Sequence, residues 1–323
     1  MVHMADALIS PAVGIAMWGA TAGIASYSLK KLNIEADEKK LPLMGVLGAF
    51  VFAAQMINFA IPGTGSSGHL GGGLLLAALL GPYAAFLTLA VILFIQALFF
   101  ADGGLLAFGC NVFNLGFYTC FIAYPLYKRL VRQMNVWFSS IIAAVIGLQL
   151  GSFSVVVQTL LSGKVELPFI TFTLFMQPIH LAIGVVEGIA TAAVITFMMK
   201  AKPELSTTTY IPVNRMIATI GLLALIVGGI FSSIASSKPD GLEWSIFHTA
   251  GTDELHATTA IHGAFESIQQ SFALLPDYNL KSADASIGWL NIGTSISGII
   301  GACIVAFVLI IPYIMKKWRK QTR

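Results

Sequence analysis

Apolar stretches long enough to cross a lipid bilayer follow one another from about residue 7 to residue 314, with most of the charged residues between them. A chain written this way has too little polar surface to cover a water-soluble core. Only 10% of the residues are charged and 57% are hydrophobic, with a mean hydropathy of +0.84. The expected class is an all-α polytopic membrane protein, because hydrocarbon offers no partner to backbone N–H and C=O groups and a helix satisfies them internally. A cleavable leader would show a basic start, a short apolar run and a soluble remainder. Here apolar segments continue to the C-terminus, so the N-terminus is expected to be mature apart from loss of Met1. The net charge of +3 needs no nucleic acid to explain it, since the basic residues collect at segment ends. Cys110, Cys120 and Cys303 lie inside apolar stretches and read as buried packing thiols.

A span needs about 20 apolar residues. On that length, candidates fall near 7–29, 41–60, 83–100, 103–125, 136–162, 172–199, 212–234 and 288–314, and 70–81 is shorter. Cytoplasmic loops carry an excess of Lys and Arg. Three clusters should therefore share a side: Lys30, Lys31, Lys39 and Lys40; Lys128, Arg129 and Arg132; Lys316, Lys317, Arg319, Lys320 and Arg323. Eight crossings would put the first two clusters on opposite sides. Counting 70–81 as a crossing that turns at Gly81-Pro82 reunites them. The expectation is about nine transmembrane segments, with the N-terminus extracytoplasmic and the C-terminus cytoplasmic. So short a crossing must be buried among protein neighbours, where its glycines permit close approach. The outer face then holds the N-terminus, the loop 61–69, the turn Ala101-Asp102-Gly103, the loop near 163–171 and a polar stretch from about 235 to 287.

A free amine followed closely by a histidine can chelate a metal: the amine, intervening amides and the imidazole can close on one ion. Four such nitrogens in a plane suit Cu(II) or Ni(II). If Met1 stays, the amine, the amides of Val2 and His3 and the His3 imidazole complete a square. If Met1 is removed, three nitrogens remain and a fourth ligand is required. His69 lies on the same side of the membrane and is the candidate for that place; the plainer alternative is a polar residue at the start of a helix. Other polar residues interrupt apolar segments, where each needs a partner or a function. Asn111 and Asn114 are spaced to share a helix face, as are His180 and Glu187 seven apart. Interhelical hydrogen bonding is the plainer reading for both pairs, and a proton relay through His180 and Glu187 the alternative. In 235–287, Pro239-Asp240-Gly241 reads as a turn. Asp240, Glu243, His248, Asp253, Glu254, His256, His262 and Glu266 there read either as a solvated loop or as metal-capturing groups. No G-x-x-x-x-G-K-[ST], no H-E-x-x-H and no G-x-S-x-G occurs, so neither ATP binding through a P-loop nor enzymatic catalysis is expected.

Taken together, H-M-A-D-A-L-I-S-P at 3–11, S-G-H-L-G-G-G-L-L-L-A-A-L-L-G-P at 67–82, N-V-F-N-L-G at 111–116 and H-L-A-I-G-V-V-E-G at 180–188 resemble the CbiM/NikM family. These are substrate-binding membrane subunits of energy-coupling-factor transporters for nickel and cobalt. The likeness covers residues 1–205. The remainder, 206–323, resembles a NikN-type module fused in the same chain, with P-D-G-L-E at 239–243 between two spans.

The resemblance implies that Ni(II) or Co(II), as transported substrate, is taken on the outer face by the N-terminal amine, the amide and imidazole of His3, and His69. Asp6, Asn111, Asn114, His180 and Glu187 are then candidates for groups behind the ligands. It also implies a CbiQ/NikQ-like coupling protein and a CbiO/NikO-like ABC-type ATPase as partners in the cell membrane, the loaded subunit toppling when they reset it. Family chains usually begin Met-His; here Val2 intervenes. Loss of Met1 restores the usual second position, with Val2 supplying the amine, whereas retention leaves Met1 to supply it. Planar nitrogen ligation favours nickel over cobalt. A membrane metal sensor or assembly subunit, or an ion-coupled secondary carrier, are the alternatives.

Overall fold

The structure is a computed structural model that describes residues 3–35, 40–164, 166–200, 213–252, 255, 259–279, 286–287, 290–321. Met1, Val2, Asp253, Glu254 and His256, all considered above, lie outside them. The protein is predominantly helical. In chain order the first helices are α1 (Pro11–Glu35), α2 (Lys40–Gln55), a short α3 (Gly73–Leu80) and α4 (Pro82–Phe100). A continuous helix comes next, made of α5 (Phe108–Val112), a π-helical stretch Phe113–Ala123 and α6 (Tyr124–Leu130). Then come α7 (Val136–Leu161), α8 (Phe169–Lys200), α9 (Val213–Gly229), α10 (Gly241–Ala250), α11 (Ala260–Phe272) and α12 (Ile292–Gln321). Two small antiparallel strand pairs are also present, β1 (Phe59–Ala60) with β2 (Ser67–Gly68), and β3 (Ser286–Ile287) with β4 (Leu290–Asn291).

Among the described residues, five helices are long and apolar enough to cross a membrane: Pro11–Leu32, Pro82–Phe100, Val136–Leu161, Phe169–Met199 and Ile292–Met315. Lys40–Gln55 and Ala218–Ile234 are apolar but shorter. Ile15, Phe138, Leu174 and Phe307 project outward from these helices and are exposed, as side chains that meet lipid would be. Cys110 and Cys120 are buried as expected, but Cys303 is exposed on the outward side of α12. Its apolar surroundings are therefore those of the bundle's exterior, not of its core.

The segment 70–81 behaves partly as its sequence implies. Helix α3 has eight residues, so at about 1.5 Å per residue it is only about 12 Å long. His69 to Gly72 ahead of it is not helical. Leu74, Leu76 and Ala77 have no exposed surface, so the short helix is buried on one side, while Ala78 and Leu79 are half-buried. Gly73 is what lets it sit there: a Cβ at this position would lie 2.1 Å from Thr119 Oγ1 and 2.9 Å from the Leu115 carbonyl oxygen. Gly81, at φ 81°, ends α3, and Pro82 opens α4 at a position where the missing N–H costs nothing.

The C-terminal helices α9 and α12 pack along α2, joining the two halves of the chain in one bundle. Within the polar stretch after α9, Gly241–Ala250 and Ala260–Phe272 are helices. Asp240 caps α10 by accepting from the N–H groups of Leu242 and Glu243, and Glu243 bonds back to the Asp240 N–H at 3.0 Å. Pro239-Asp240-Gly241 is thus a capping box at a helix start. His262 in α11 is buried, not solvated: Nε2 donates to the Ile9 carbonyl at 3.0 Å and Nδ1 faces the Thr259 hydroxyl at 2.7 Å.

Candidate metal centre

From His3 onward, the first described residues thread into one end of the bundle. Met4, Leu8 and Ile9 are buried there, and Asn111 clamps the backbone of Met4. Its Oδ1 accepts the Met4 N–H at 2.7 Å, and its Nδ2 donates to the Met4 carbonyl at 3.1 Å. Gly104 N–H donates to the same carbonyl at 2.9 Å. Asn114 exchanges amide hydrogen bonds with Gln158 at 2.8 and 2.9 Å and touches the Met4 sulfur at 3.6 Å. Asp6 accepts the Ala107 N–H at 2.8 Å. These three residues anchor the strip of chain that carries His3 through its backbone and its Met4 side chain.

His3 is held from the turn at the C-terminal end of α4. Asp102 stands in that turn, and His3 Nδ1 lies 2.8 Å from its Oδ1. The second oxygen, Oδ2, accepts the Tyr278 hydroxyl at 2.5 Å. Burial pushes Asp102 towards the neutral form, but the charge of His3 and the hydrogen bonds from His3 and Tyr278 outweigh it and hold the carboxyl well below its usual range. The contact with Asp102 occupies Nδ1, the ring nitrogen nearer the backbone. It is also the nitrogen that a chelate with His3's own amide would use. Nε2 is the one left over, buried without a hydrogen-bond partner among the described residues.

His69 comes directly after β2 and stands four residues ahead of α3, not at its first turn. Its Nδ1 lies 3.2 Å from the Leu70 carbonyl, and its ring centre is 5.3 Å from that of His3 with the planes tilted by 55°. Metal–nitrogen bonds of about 2.0–2.1 Å place an ion roughly 3.2 Å from each imidazole centre, so two ligating rings can be up to ~6.4 Å apart. The observed pair is inside that limit. Burial, reinforced by the charge of His3, pushes His69 down to about 3, which keeps it neutral and its lone pair available near neutral pH. Among the described residues, no group of three or more His, Cys, Asp or Glu side chains gathers as a metal site.

The segment carrying His69 is fixed from two directions. Ser67 N–H donates to the Pro239 carbonyl at 2.8 Å, and Ser67 Oγ donates to the Lys238 carbonyl at 2.8 Å. Gly71 N–H donates to Glu187 Oε2 at 2.8 Å from the other side. Gly241 lets α10 press onto α8, since a Cβ there would sit 2.6 Å from Ile179 Cγ2 and 3.3 Å from His180 Cε1. His180 is fully buried, with Nδ1 2.7 Å from the Met176 carbonyl. His180 and Glu187 thus have separate partners: Glu187 secures the backbone next to His69, and His180 bonds within its own helix.

A family model described as the cobalt uptake substrate-specific transmembrane region matches residues 3–205, and a PDGLE domain model matches residues 214–317. The chain belongs to the CbiM family. It carries the PDGLE module fused behind the CbiM region. A putative fused nickel transport protein NikMN of Archaeoglobus fulgidus is 32% identical over 94% of this chain and 95% of its own. A probable fused nickel transport protein LarMN of Lactiplantibacillus plantarum is 29% identical over 89% of this chain and 92% of its own. A crystal structure of a transition metal transporter, 31% identical, superposes with a TM-score of 0.57 over 63% of this chain and 95% of its own. As a CbiM-family member the chain is a multi-pass membrane protein of the nickel and cobalt transport proteins. Sequence reasoning singled out neither Asp102 nor Tyr278. Asp102 could have been found as the lone carboxylate in a turn assigned to the same side as His3 and His69. Nothing along the sequence distinguishes Tyr278.

Proposed function

We propose that this CbiM-family chain is the substrate-capturing membrane component of an energy-coupling-factor transporter. It takes Ni(II), with Co(II) as the close alternative, at its outer face. The carrying observation is the His3–His69 pair, 5.3 Å apart between ring centres, with one ring backed by Asp102 and the other neutral by burial. The terminal amine, from Val2 after loss of Met1 or from Met1 itself, supplies a further nitrogen. Residues 1–205 form the metal-binding domain and 206–323 the module placed over it. Nine crossings, with the N-terminus outside and the C-terminus in the cytoplasm, put the assembled end of the bundle on the outer face. Energy comes from a CbiO/NikO-like ABC-type ATPase through a CbiQ/NikQ-like coupling protein.

Intact mass of the purified protein in native buffer, with and without added Ni(II) or Co(II), tests the capture step. One nickel per chain lacking Met1 is the expected result, and a protein that takes up neither ion would sink the proposal in favour of a sensor or assembly role. The transport step is tested by uptake in cells with and without the two partners. Uptake should vanish when the ATPase is inactivated; uptake that ignores the ATPase and collapses with the proton gradient would identify a secondary carrier.

A further inference from the structure

Helix α11 lies across one end of the bundle, from one membrane span to another. Near its start, His262 Nε2 donates to the carbonyl of Ile9, just ahead of α1. About 10 Å further along the helix, Gln269 donates to the carbonyls of Ala97, in the last turn of α4, and of Gly103 just beyond it, at 2.9 and 2.7 Å. Leu274 and Leu275 then donate to the Phe99 carbonyl, at 2.8 and 3.2 Å. Helices α1 and α4 are both long and apolar enough to cross a membrane. Helix α11 therefore rests where two crossings leave the hydrocarbon.

At about 100° per residue, the side chains of α11 fall into three sectors. His262 and Gln269 face the bundle, and Phe265 beside them packs against its core. Glu266, Ser267, Gln270 and Ser271 are exposed and form a polar sector. Between the two runs a stripe of Ile261, Ala264, Ile268 and Phe272, which is apolar and yet exposed. Ile268 and Phe272 are 47% and 52% exposed, and Leu274 extends the stripe past the helix end. We infer that α11 is an interfacial helix: its stripe lies in the boundary between headgroups and acyl chains, and its polar sector faces water. Position selects lipid as the occupant. The helix is pinned at both ends to spans at their exit from the bilayer, so its stripe continues the outward apolar surface that includes Ile15 of α1. Helix α11 contains no Lys or Arg, so apolar burial holds it there, not attraction to anionic headgroups. The PDGLE module is thereby seated on the membrane as well as on the bundle. The inference needs neither the metal nor a choice of membrane side.

The test is nitroxide labelling of the full-length chain in vesicles of uncharged phosphatidylcholine. Labels are placed at Ile261→Cys and Ile268→Cys on the stripe and at Ser267→Cys and Gln270→Cys on the polar sector, each with Cys303→Ala. Cys110 and Cys120 are buried and stay unlabelled. All four positions but Gln270 and Ser267 carry apolar side chains in the wild type, and all four are exposed, so the labels leave the packing of α11 intact. Electron paramagnetic resonance then compares collisions with oxygen, which concentrates in lipid, and with chromium oxalate, which stays in water. Oxygen should dominate at positions 261 and 268 and the oxalate at 267 and 270, with the stripe labels about 5–10 Å below the headgroup boundary. Oxalate dominating at all four positions would put the stripe in water and overturn the inference. Stripe labels shielded from both reagents would overturn it too, because a second copy of the chain would then cover the stripe in place of lipid.

Discussion

At the scale of single residues, this protein uses polar side chains to place backbone. His69→Ala removes one of the two imidazoles and should abolish Ni(II) retention if Met1 is lost. Unchanged retention by equilibrium dialysis would mean that the terminus chelates alone. Asn111→Ala leaves the Met4 N–H buried without its acceptor, a cost of about 1–3 kcal/mol. It should lower the unfolding midpoint in detergent and weaken Ni(II) binding, because His3 is the next residue along. An unchanged midpoint would show that Gly104, which shares the Met4 carbonyl, holds the segment unaided. The spacing of three between Asn111 and Asn114 revealed a shared face, and both do face Met4. What they bind was not legible, because their partner lies more than a hundred residues away in sequence.

At the scale of elements, P-D-G-L-E has a structural reason at each position. The Pro239 carbonyl ties the module to Ser67, Asp240 and Glu243 cap α10, Gly241 allows close approach to α8, and Leu242 is buried at 2% exposure. Gly241→Ala places a Cβ 2.6 Å from Ile179 Cγ2, and overpacking of this kind typically costs about 1–3 kcal/mol. It should lower the thermal midpoint and, by shifting Pro239 away from Ser67, weaken Ni(II) binding two residues on at His69. Full affinity in a folded Gly241→Ala protein would separate the module's docking from the site. From the opposite side, Glu187→Leu strips Gly71 of its acceptor, whereas Glu187→Gln keeps one. Only the leucine variant should lose metal affinity in calorimetry, and equal losses would point to the charge of Glu187 itself. The motif was visible in the sequence as a turn. Its identity as a capping box required the helix itself, because a turn and a helix start use the same residues and differ only in whether the chain beyond them continues as a helix.

At the scale of the whole molecule, segments assigned to one side by counting crossings do meet at one end of the bundle. Met4 bonds to Gly104, Ser67 to Pro239, and His262 to Ile9. The proposed orientation predicts that, in a chain with Cys303→Ala, Lys238→Cys is labelled by an impermeant maleimide from outside intact cells and Lys128→Cys is not. Both lysines are exposed, so the reverse pattern would invert the topology and place the metal centre on the cytoplasmic side. Similarly, an N-terminal tag should abolish uptake with normal insertion, and a fully active tagged protein would exclude the amine as a ligand. The sequence by itself determined the helical membrane class, the family, the turn at Gly81-Pro82 and the pairing of His3 with His69, because apolar length, charge bias and short motifs act along the chain. Tertiary structure alone decided that Asp102 and Tyr278 stand behind His3, that Glu187 serves Gly71 and not His180, and that the stretch after α9 contains the helices α10 and α11. Those are contacts between residues far apart in sequence, and a buried polar group's partner is set by whichever element the fold brings against it.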